Sequence, residues 1–429
     1  MTGRRRRSPL ASPGAVVAIL GATQIIGYGT LYYSFAILAD SVAAEFRWPV
    51  SWVFGAFSLA LFAGGAVAPL VGRRIDRHGA GPVMALGSLA AGAALVLAAL
   101  APDPRLFAAA LVAVEIASAT ILYDAAFAAL VQLCRHRAGA RITHLTLIAG
   151  FASTLFWPFT TWLHGHLDWR DVLLVFAVLN IAVCFPLHLA IARTRPFDAS
   201  PDGAAERPGA AASIVDPPLP PILARRVALL ITAGFALSGF LLSAMLTQMV
   251  PVLSALGLGS AALVVATLFG PAQVLVRFVN MLFGVRRHPL VVTIVAVTML
   301  PLAVTILAAS APLVAGAAVF AVLLGFGSGL KSIVQGSLPL ALFGGAAYGA
   351  RLGEMALARQ FLAASAPFVF AWMVDAFGPG AALMVLVAVA GLGLAAFIEV
   401  ARIRTRVAAS ANRAAPDVTS TRAILRDRR

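Results

Sequence analysis

Charged residues are scarce in this sequence. Only 11% of its 429 residues are charged and 61% are hydrophobic, whereas a typical soluble domain has about 25% charged residues. Cysteine is also scarce: Cys134 and Cys184, the only two, fall in or near apolar segments of the first half, so we expect buried, inert thiols and no disulfide framework. These shortages exclude an ordinary soluble protein and indicate a helical membrane protein.

Motifs of catalysis and nucleotide binding are missing as well. The sequence has no His-Glu-x-x-His zinc pattern, no Gly-x-Ser-x-Gly nucleophile motif and no phosphate-binding loop. An intramembrane enzyme is therefore only a remote alternative, and no cofactor or metal is expected. ATP-driven pumping is not expected of this chain alone.

Apolar runs of about 20 residues, the length needed to cross a bilayer, recur along the chain. They are apolar all round and rich in Ala, Gly and Leu, which predicts closely packed helices rather than the alternating strands of a membrane barrel. The predicted spans are 15–39, 51–71, 80–101, 106–131, 143–165, 171–192, 226–250, 259–284, 290–310, 313–338, 352–376 and 380–401. We therefore predict an all-α membrane protein with twelve transmembrane helices.

Basic residues are concentrated in alternate loops. A formal charge of +15 would suit nucleic acid, but most arginines precede the first span or follow an even-numbered one. They include Arg4 to Arg7, Arg73, Arg74, Arg77, Arg135, Arg137, Arg141, Arg193, Arg195, Arg207, Arg225, Arg226, Arg286, Arg287, Arg351, Arg402, Arg404 and Arg406, against Arg47, Arg105 and Arg170 in the other loops. This positive-inside asymmetry predicts a multi-pass protein of a bacterial inner membrane, with both termini in the cytoplasm and no nucleic-acid partner.

A polar, proline-rich segment divides the chain near its middle. It predicts a cytoplasmic linker at 193–225 between two six-helix bundles, 15–192 and 226–401, with cytoplasmic tails at 1–14 and 402–429. Short stretches of weakly similar sequence in the two halves favour pseudo-symmetric repeats, for example Trp157-Pro158-Phe159 and Ala366-Pro367-Phe368. Repeats of this kind can rock around a site near the membrane midplane.

One loop resembles a known family signature. The segment from Gly72 to Gly79 resembles the loop between helices two and three of the major facilitator superfamily, and Gly72, Asp76, Arg77 and Gly79 fit its pattern. The resemblance implies that Asp76 faces the positive start of helix eleven, that Arg77 or a neighbour meets Asp124 on helix four, and that these residues gate transport by a monomer. The alternative is a tight turn whose arginines only set topology.

Three further stretches are similar to bacterial members of that superfamily related to monocarboxylate transporters. They are Gln24 to Tyr33, Tyr123 to Ala128 and Gly270 to Arg277. In those relatives an arginine of helix eight binds the substrate carboxylate, and Arg277 matches it. The relatives often have an acid one turn earlier, where this chain has Gln273, so an arginine-paired proton switch is not carried over.

Ionisable groups inside apolar spans are costly and point to function. Arg277 and Lys331, the only lysine, each lie about eighteen residues into a helix, so they are predicted at similar depths where one anion could meet both. Gln273 lies one turn before Arg277, and Gln335 lies one turn after Lys331, so each amide shares a helix face with one of the two basic residues. These amides are included in the predicted substrate site. The alternative is that Glu115, Asp124 or backbone carbonyls neutralise the two cations.

Helices one, four and eleven contain further polar candidates. Glu115 has no obvious partner in its own helix, and burial should disfavour its charged form, so it is predicted either to couple protons or to pair with a cation. Glu354 and Arg359 are expected to be gate charges near the cytoplasmic surface. A polar stripe at four-residue spacing in helix one either lines the substrate pathway or only packs: Gln24, Tyr28 and Tyr32.

These features predict secondary transport of a small organic anion, with monocarboxylates as the leading class, by alternating access with proton symport. The expected partners are that anion, protons and membrane lipid. Export of a neutral or amphiphilic toxic compound, a drug or a metalloid, is the alternative, although Cys134 and Cys184 form no thiol motif.

Overall fold

Several helices begin where the sequence supplies a polar cap. The side chain of Ser12 accepts a hydrogen bond from the N–H of Ala15, Asp103 accepts from Leu106, and Asp168 accepts from Asp171. Each cap satisfies an N–H group that the first turn of a helix leaves free. The apolar residues that follow pair their peptide groups within the helix, as a membrane interior requires.

The computed structural model describes residues 12–197, 215–284 and 287–414, without the side chains of 136 and 408–414. Within these ranges, eleven helices are long and apolar enough to cross a membrane. They are α1 Pro13–Phe46, α2 Val50–His78, α3 Ala80–Ala99, α4 Pro104–Cys134, α5 Ala138–His164, α6 Trp169–Ala192, α7 Pro221–Leu258, α8 Ala261–Gly284, α9 Pro289–Ser310, α10 Val314–Phe343 and α11 Tyr348–Val407. The predicted basic residues Arg4 to Arg7, most of the predicted linker, Arg286 and the end of the C-terminal tail lie outside the described residues.

The helix α11 is interrupted at Gly378. This residue has φ 79° and ψ 162°, a combination that only glycine adopts readily. An unbroken α11 would be about 90 Å long, roughly three times the thickness of a hydrocarbon core. The break lies between the predicted spans 352–376 and 380–401, and it divides α11 into a first arm, 348–377, and a second arm, 379–407.

Other helices are irregular inside their spans. Leu122 of α4 has extended backbone (φ −79°, ψ −165°), and α5 is interrupted at Gly150 and Phe151. The segment Gly29–Tyr33 of α1 is π-helical. Irregular backbone at membrane depth is tolerated where protein buries it or where it lines a cavity, and π-helical segments are frequent at functional sites.

The two halves of the chain have separate apolar cores. Residues of α1–α6 form one core, to which Leu340, Tyr348 and Leu352 of the second half are added, and α7–α11 form the others. Cys134 and Cys184 are buried and form no disulfide. The predicted boundaries of the two bundles remain a prediction.

The halves meet along the second part of α2 and the first arm of α11. Small residues allow this close approach: Ala68 lies against Gly353, and Gly72 against Gly349. The ends of the linker are on the same side of the molecule, because the N–H of Phe197 donates to Leu133 at the end of α4 and that of Asp216 to Ala341 at the end of α10. We call this side, with the α2–α3 turn, the linker face.

Candidate functional site

The signature loop seals the linker face against the start of α11. Asp76 accepts hydrogen bonds from the N–H groups of Gly349 (2.9 Å) and Ala350 (2.7 Å), which places its carboxylate where the resemblance implies. Gly72 leaves no room for a Cβ, because one built there would overlap the carbonyl of Gly349. Gly79 has φ 87° between α2 and α3. A gating role for these residues and Arg77 remains a prediction.

Gln132 of α4 holds this loop in place through two hydrogen bonds, and its role was not predicted from the sequence. Its Nε2 donates to the carbonyl of Ile75 (3.1 Å), and its Oε1 accepts from the N–H of Ala80 (2.8 Å). The only signal for it was a lone amide near the end of an apolar span.

Asp124 pairs with Arg359, so the expected contact with Arg77 or a neighbouring loop arginine is wrong. Arg359 Nη2 lies 2.8 Å from Asp124 Oδ2. Arg77 is exposed in the last turn of α2, whereas Asp124 precedes the end of α4 at Cys134 by ten residues, or about 15 Å. Arg359 lies at similar depth, about 16 Å into α11, so its predicted place near the surface is also wrong.

Arg277 reaches from the second half of the chain to the first. Its side chain is buried (5% exposed), its Nη1 donates to the carbonyl of Thr146 (3.3 Å), and it lies against Gly150, where α5 is interrupted. Among the described residues, its Nε has no hydrogen-bond partner and no carboxylate pairs with it. Its electrostatic neighbours are Tyr33 and Tyr123.

Lys331 is equally buried (5% exposed) but has other neighbours. It lies near Gly239 of α7, and Arg359 is its electrostatic neighbour. Within the described ranges it has neither an ion pair nor a hydrogen bond. Gln273 Nε2 donates to Ser328 Oγ (2.7 Å), and Gln335 is half-buried. The structure therefore gives Arg277 and Lys331 separate surroundings within the same region of the membrane.

Glu115 is an isolated acid in α4. It is 5% exposed, and its Oε1 is buried without a hydrogen-bond partner. Gly64 of α2 packs against its backbone, and Tyr32 is its electrostatic neighbour. The alternative of a structural pair with a cation is therefore not found in the described part of the chain.

Gln24 does not line a pathway with Tyr28 and Tyr32, contrary to the idea of one polar stripe. It is fully buried, and its Nε2 donates to the carbonyl of Ile121 (2.7 Å). That carbonyl is available because α4 becomes extended at Leu122. Tyr28 is half-buried and Tyr32 is 42% exposed, so these two side chains are accessible.

The centre of the molecule carries more positive than negative charge. Arg277, Lys331 and Arg359 are basic, and Asp124 is the one acid paired with any of them among the described residues. Buried charge is costly unless it is paired. This arrangement suits a bound anion.

Comparisons with solved structures identify the fold. The human organic anion transporter MFSD10 (TETRAN) aligns with a TM-score of 0.65 at 17% identity, over 90% of this chain and 100% of that one. The proton:xylose symporter XylE, bound to 6-bromo-6-deoxy-D-glucose, gives 0.66 at 13% identity over 89% and 94%, and FucP in its outward conformation gives 0.65 at 15% over 93% and 99%.

Comparison with curated protein sequences gives no significant match. The family model of the Major Facilitator Superfamily matches residues 17–367, most of the chain. Both the sequence and the arrangement of helices therefore lead to one assignment: the chain belongs to the major facilitator superfamily of membrane transporters.

Proposed function

We propose that the protein is a secondary transporter that moves a small organic anion, with monocarboxylates as the leading class, across the membrane by alternating access. The observation that carries the proposal concerns three basic side chains inside the membrane spans, Arg277, Lys331 and Arg359, of which only Arg359 has a paired acid among the described residues. Arg277 and Lys331 are each 5% exposed and have no carboxylate partner in the described ranges. A substrate anion would compensate charge that the protein leaves unbalanced.

Arg277 is the main substrate ligand in this proposal. One of its N–H groups is held by Thr146, whereas Nε is free of described partners. A planar guanidinium can bind a carboxylate through two parallel hydrogen bonds. The resemblance to monocarboxylate transporters supports the same role. Lys331, with Gln335 one turn later, supplies a second positive region, and Gln273 braces α8 against α10.

Alternating access is supported by the contacts between the halves. They are close on the linker face, at Gly72 and Asp76. Towards the other face, α2 and α11 expose the aromatic side chains of Phe54 (42%), Phe368 (79%) and Trp372 (57%). Close contact on the linker face is expected of a carrier in a state that is closed on that face.

The proposed topology follows from the break at Gly378. If each arm of α11 crosses once, the chain has twelve crossings in two bundles, and both termini lie on the linker face. The arginines of that face then put it in the cytoplasm of a bacterial cell. Operation as a monomer is part of the proposal, as the family resemblance implies.

Proton symport is assigned to Glu115 in this proposal, because a buried carboxylate without a partner is a place where a proton can bind. Export of a neutral amphiphile would use the accessible aromatic rings but would not need the cations. The fold does not decide between substrates, since its solved examples include an organic anion transporter and a sugar symporter.

Counterflow of labelled carboxylates in proteoliposomes tests the proposal. Arg277→Gln keeps a polar side chain but removes the charged fork, and we expect a loss of substrate affinity of about ten- to a hundredfold, since hydrogen bonds to charged groups contribute about 1.5–3 kcal/mol. Arg402→Gln, at a position 66% exposed, is the matched control and should transport normally. Normal counterflow by folded Arg277→Gln protein would refute the proposal.

A further inference from the structure

Four of the five tyrosines lie in one group. The ring centroid of Tyr28 is 6.5 Å from that of Tyr32, 6.1 Å from Tyr33 and 4.7 Å from Tyr123. We call Tyr28, Tyr32, Tyr33 and Tyr123 the tyrosine cluster. Tyr28 and Tyr32 were predicted from their spacing in helix one, whereas Tyr33 and Tyr123 were not, although they lie in stretches that resemble the monocarboxylate transporters.

Neighbouring helices extend the tyrosine cluster into an aromatic wall. Phe57 of α2 lies 5.9 Å from Tyr32, and Trp157 of α5 lies edge-on to Tyr33 at 6.5 Å. Ordinary core packing would bury these rings. Tyr32 is instead 42% exposed and Trp157 is 54% exposed, so part of each ring is accessible to a ligand.

The hydroxyl groups of the tyrosine cluster are also available. None of the four makes a hydrogen bond to another residue in the part of the chain that the structure describes, although a tyrosine inside a protein usually finds a partner for its O–H group. Arg277 adds a buried Nε donor without a partner, and it interacts electrostatically with Tyr33 and Tyr123. The region therefore combines accessible rings with hydrogen-bond donors that have no acceptor.

We infer that the transported anion is an aromatic carboxylate, whose ring packs against the tyrosine cluster and whose carboxylate binds Arg277. This inference rests on the proposed function and narrows its substrate class. A benzoate-like molecule satisfies both parts of the site, because its ring offers faces and edges to the aromatic wall and its oxygens accept from the free donors. It would also bridge the halves, since the rings belong to α1, α2, α4 and α5 and the guanidinium to α8.

A ligand series on the purified full chain tests the inference. Benzoate, cyclohexanecarboxylate, propionate and benzyl alcohol are titrated by isothermal calorimetry, and thermal shift gives a second readout. We expect benzoate to bind about tenfold or more tightly than propionate, because ring burial and ring pairing add to the carboxylate contact. Cyclohexanecarboxylate should fall between the two, and benzyl alcohol should not bind measurably.

Tyr33→Leu separates the ring contact from the carboxylate contact. It should weaken benzoate binding more than propionate binding, and so reduce the preference for benzoate by about fivefold or more. Cooperative thermal unfolding without ligand shows that the variant is folded. Phe283→Leu, at an exposed ring of α8 outside the cluster (73% exposed), is the matched control and should keep the wild-type preference.

The outcomes test the aromatic substrate class and the proposed anion transport separately. Equal affinity for benzoate and propionate, or equal weakening of both by Tyr33→Leu, overturns the aromatic class and leaves anion transport standing. Binding of benzyl alcohol as tight as that of benzoate overturns the inference in favour of a neutral amphiphile. Binding of no carboxylate at all removes the proposed function, and the inference with it.

Discussion

Two acids of α4 differ in their surroundings. Asp124 is paired with Arg359 across the two halves, whereas Glu115 has no cation beside it among the residues described and has a buried, unpartnered oxygen. A proton on Asp124 would break its ion pair with Arg359, whereas a proton on Glu115 would break none among the described residues. The geometry therefore favours Glu115 over Asp124 as the proton-binding group.

Replacement of Glu115 by Gln should uncouple transport from the proton gradient. The amide has the same shape but cannot release a proton, so we expect exchange of labelled substrate across proteoliposomes to continue at about the wild-type rate. Accumulation driven by an imposed pH difference should fall about tenfold or more, since an uncoupled carrier only equilibrates its substrate.

Asp375→Asn provides the matched control, because this acid is exposed near the opposite end of the first arm of α11. It should retain both exchange and accumulation. If Glu115→Gln accumulated substrate at the wild-type level under an imposed pH difference, Glu115 would have no part in proton coupling.

Single residues were predictable from the sequence where one strong physical rule applied. The cost of charge in lipid identified Arg277, Lys331 and Glu115, and all three are buried. The pair Asp124–Arg359 was not predictable, because its members are far apart in sequence and α11 begins at Tyr348, four residues before the predicted span. The sequence left open whether Gln24 lines a pathway or packs, because the break at Leu122, whose preceding carbonyl it binds, leaves no mark in an apolar sequence.

At the scale of elements, the junction of α2 with α11 depends on small residues. Gly72 and Gly353 lie where any side chain would meet backbone of the other helix. Backbone cannot move aside as a flexible side chain does, so added volume at these positions must separate the helices. The junction is therefore sensitive to a single methyl group.

Gly72→Ala should prevent full closure of the linker face. We expect transport to fall at least about tenfold while the protein stays folded, because one methyl group forces α2 away from the start of α11 and weakens the contacts of Asp76. Limited proteolysis or hydrogen exchange at the start of α11 should show increased exposure.

Gly391→Ala is a suitable control for this change, since a Cβ at that helical glycine meets nothing within 4 Å. It should leave both transport and protection unaltered. If Gly72→Ala were as active and as protected as Gly391→Ala, the tight junction would have no part in closure.

Helices were more predictable than their irregularities. Hydropathy averages over about 20 residues, so it identified the spans but not the extended residue Leu122 or the π-helical segment Gly29–Tyr33. The division of α11 at Gly378 was anticipated, because Gly and Pro in 377–380 interrupt the apolar run.

For the whole molecule, the end of the linker is anchored to the second half. Asp216 lies 2.7 Å from Arg404 Nε and 3.3 Å from His288 Nε2, and its N–H donates to Ala341. His288 also caps α9, with Nδ1 accepting from the N–H of Leu290. The segments that contain His288, Ala341 and Arg404, which are distant in sequence, are thus joined at Asp216.

The start of α9, which His288 caps, should lose stability in acid. Burial lowers the pKa of His288, against the opposing effect of Asp216, so the folded protein binds fewer protons there than the unfolded chain. The stabilisation is complete above about pH 6.5 and is lost as the pH falls further, when protonation of Nδ1 also removes the cap. Protection factors for the amide of Leu290, which donates to Nδ1, measured by hydrogen exchange between pH 5 and 8, should decline below that value.

His288→Asn should remove this pH dependence, because asparagine also caps helices and does not titrate. His166→Asn, at an exposed histidine on the opposite face, should keep it. Identical pH profiles for the wild type and His288→Asn would show that another group controls the pH dependence at the start of α9.

The organisation into halves was visible in the sequence as a polar segment between apolar runs, and the distribution of arginines indicated which loops share a face. The conformational state was not visible. Closure on the linker face depends on contacts between residues such as Asp76 and Gly349, which are distant in sequence and become neighbours only after folding.

The burial of Cys134 (8% exposed) and Cys184 (1% exposed) has a practical consequence. Water-soluble thiol reagents meet almost no reactive background on the native chain, so introduced cysteines can carry spin labels without prior removal of natural ones. One label pair at Ser51 and Asp375 and another at Arg73 and Arg351 would monitor the two membrane faces separately. Opposite distance changes in the two pairs on addition of substrate would record each turnover of the carrier in an otherwise unaltered protein.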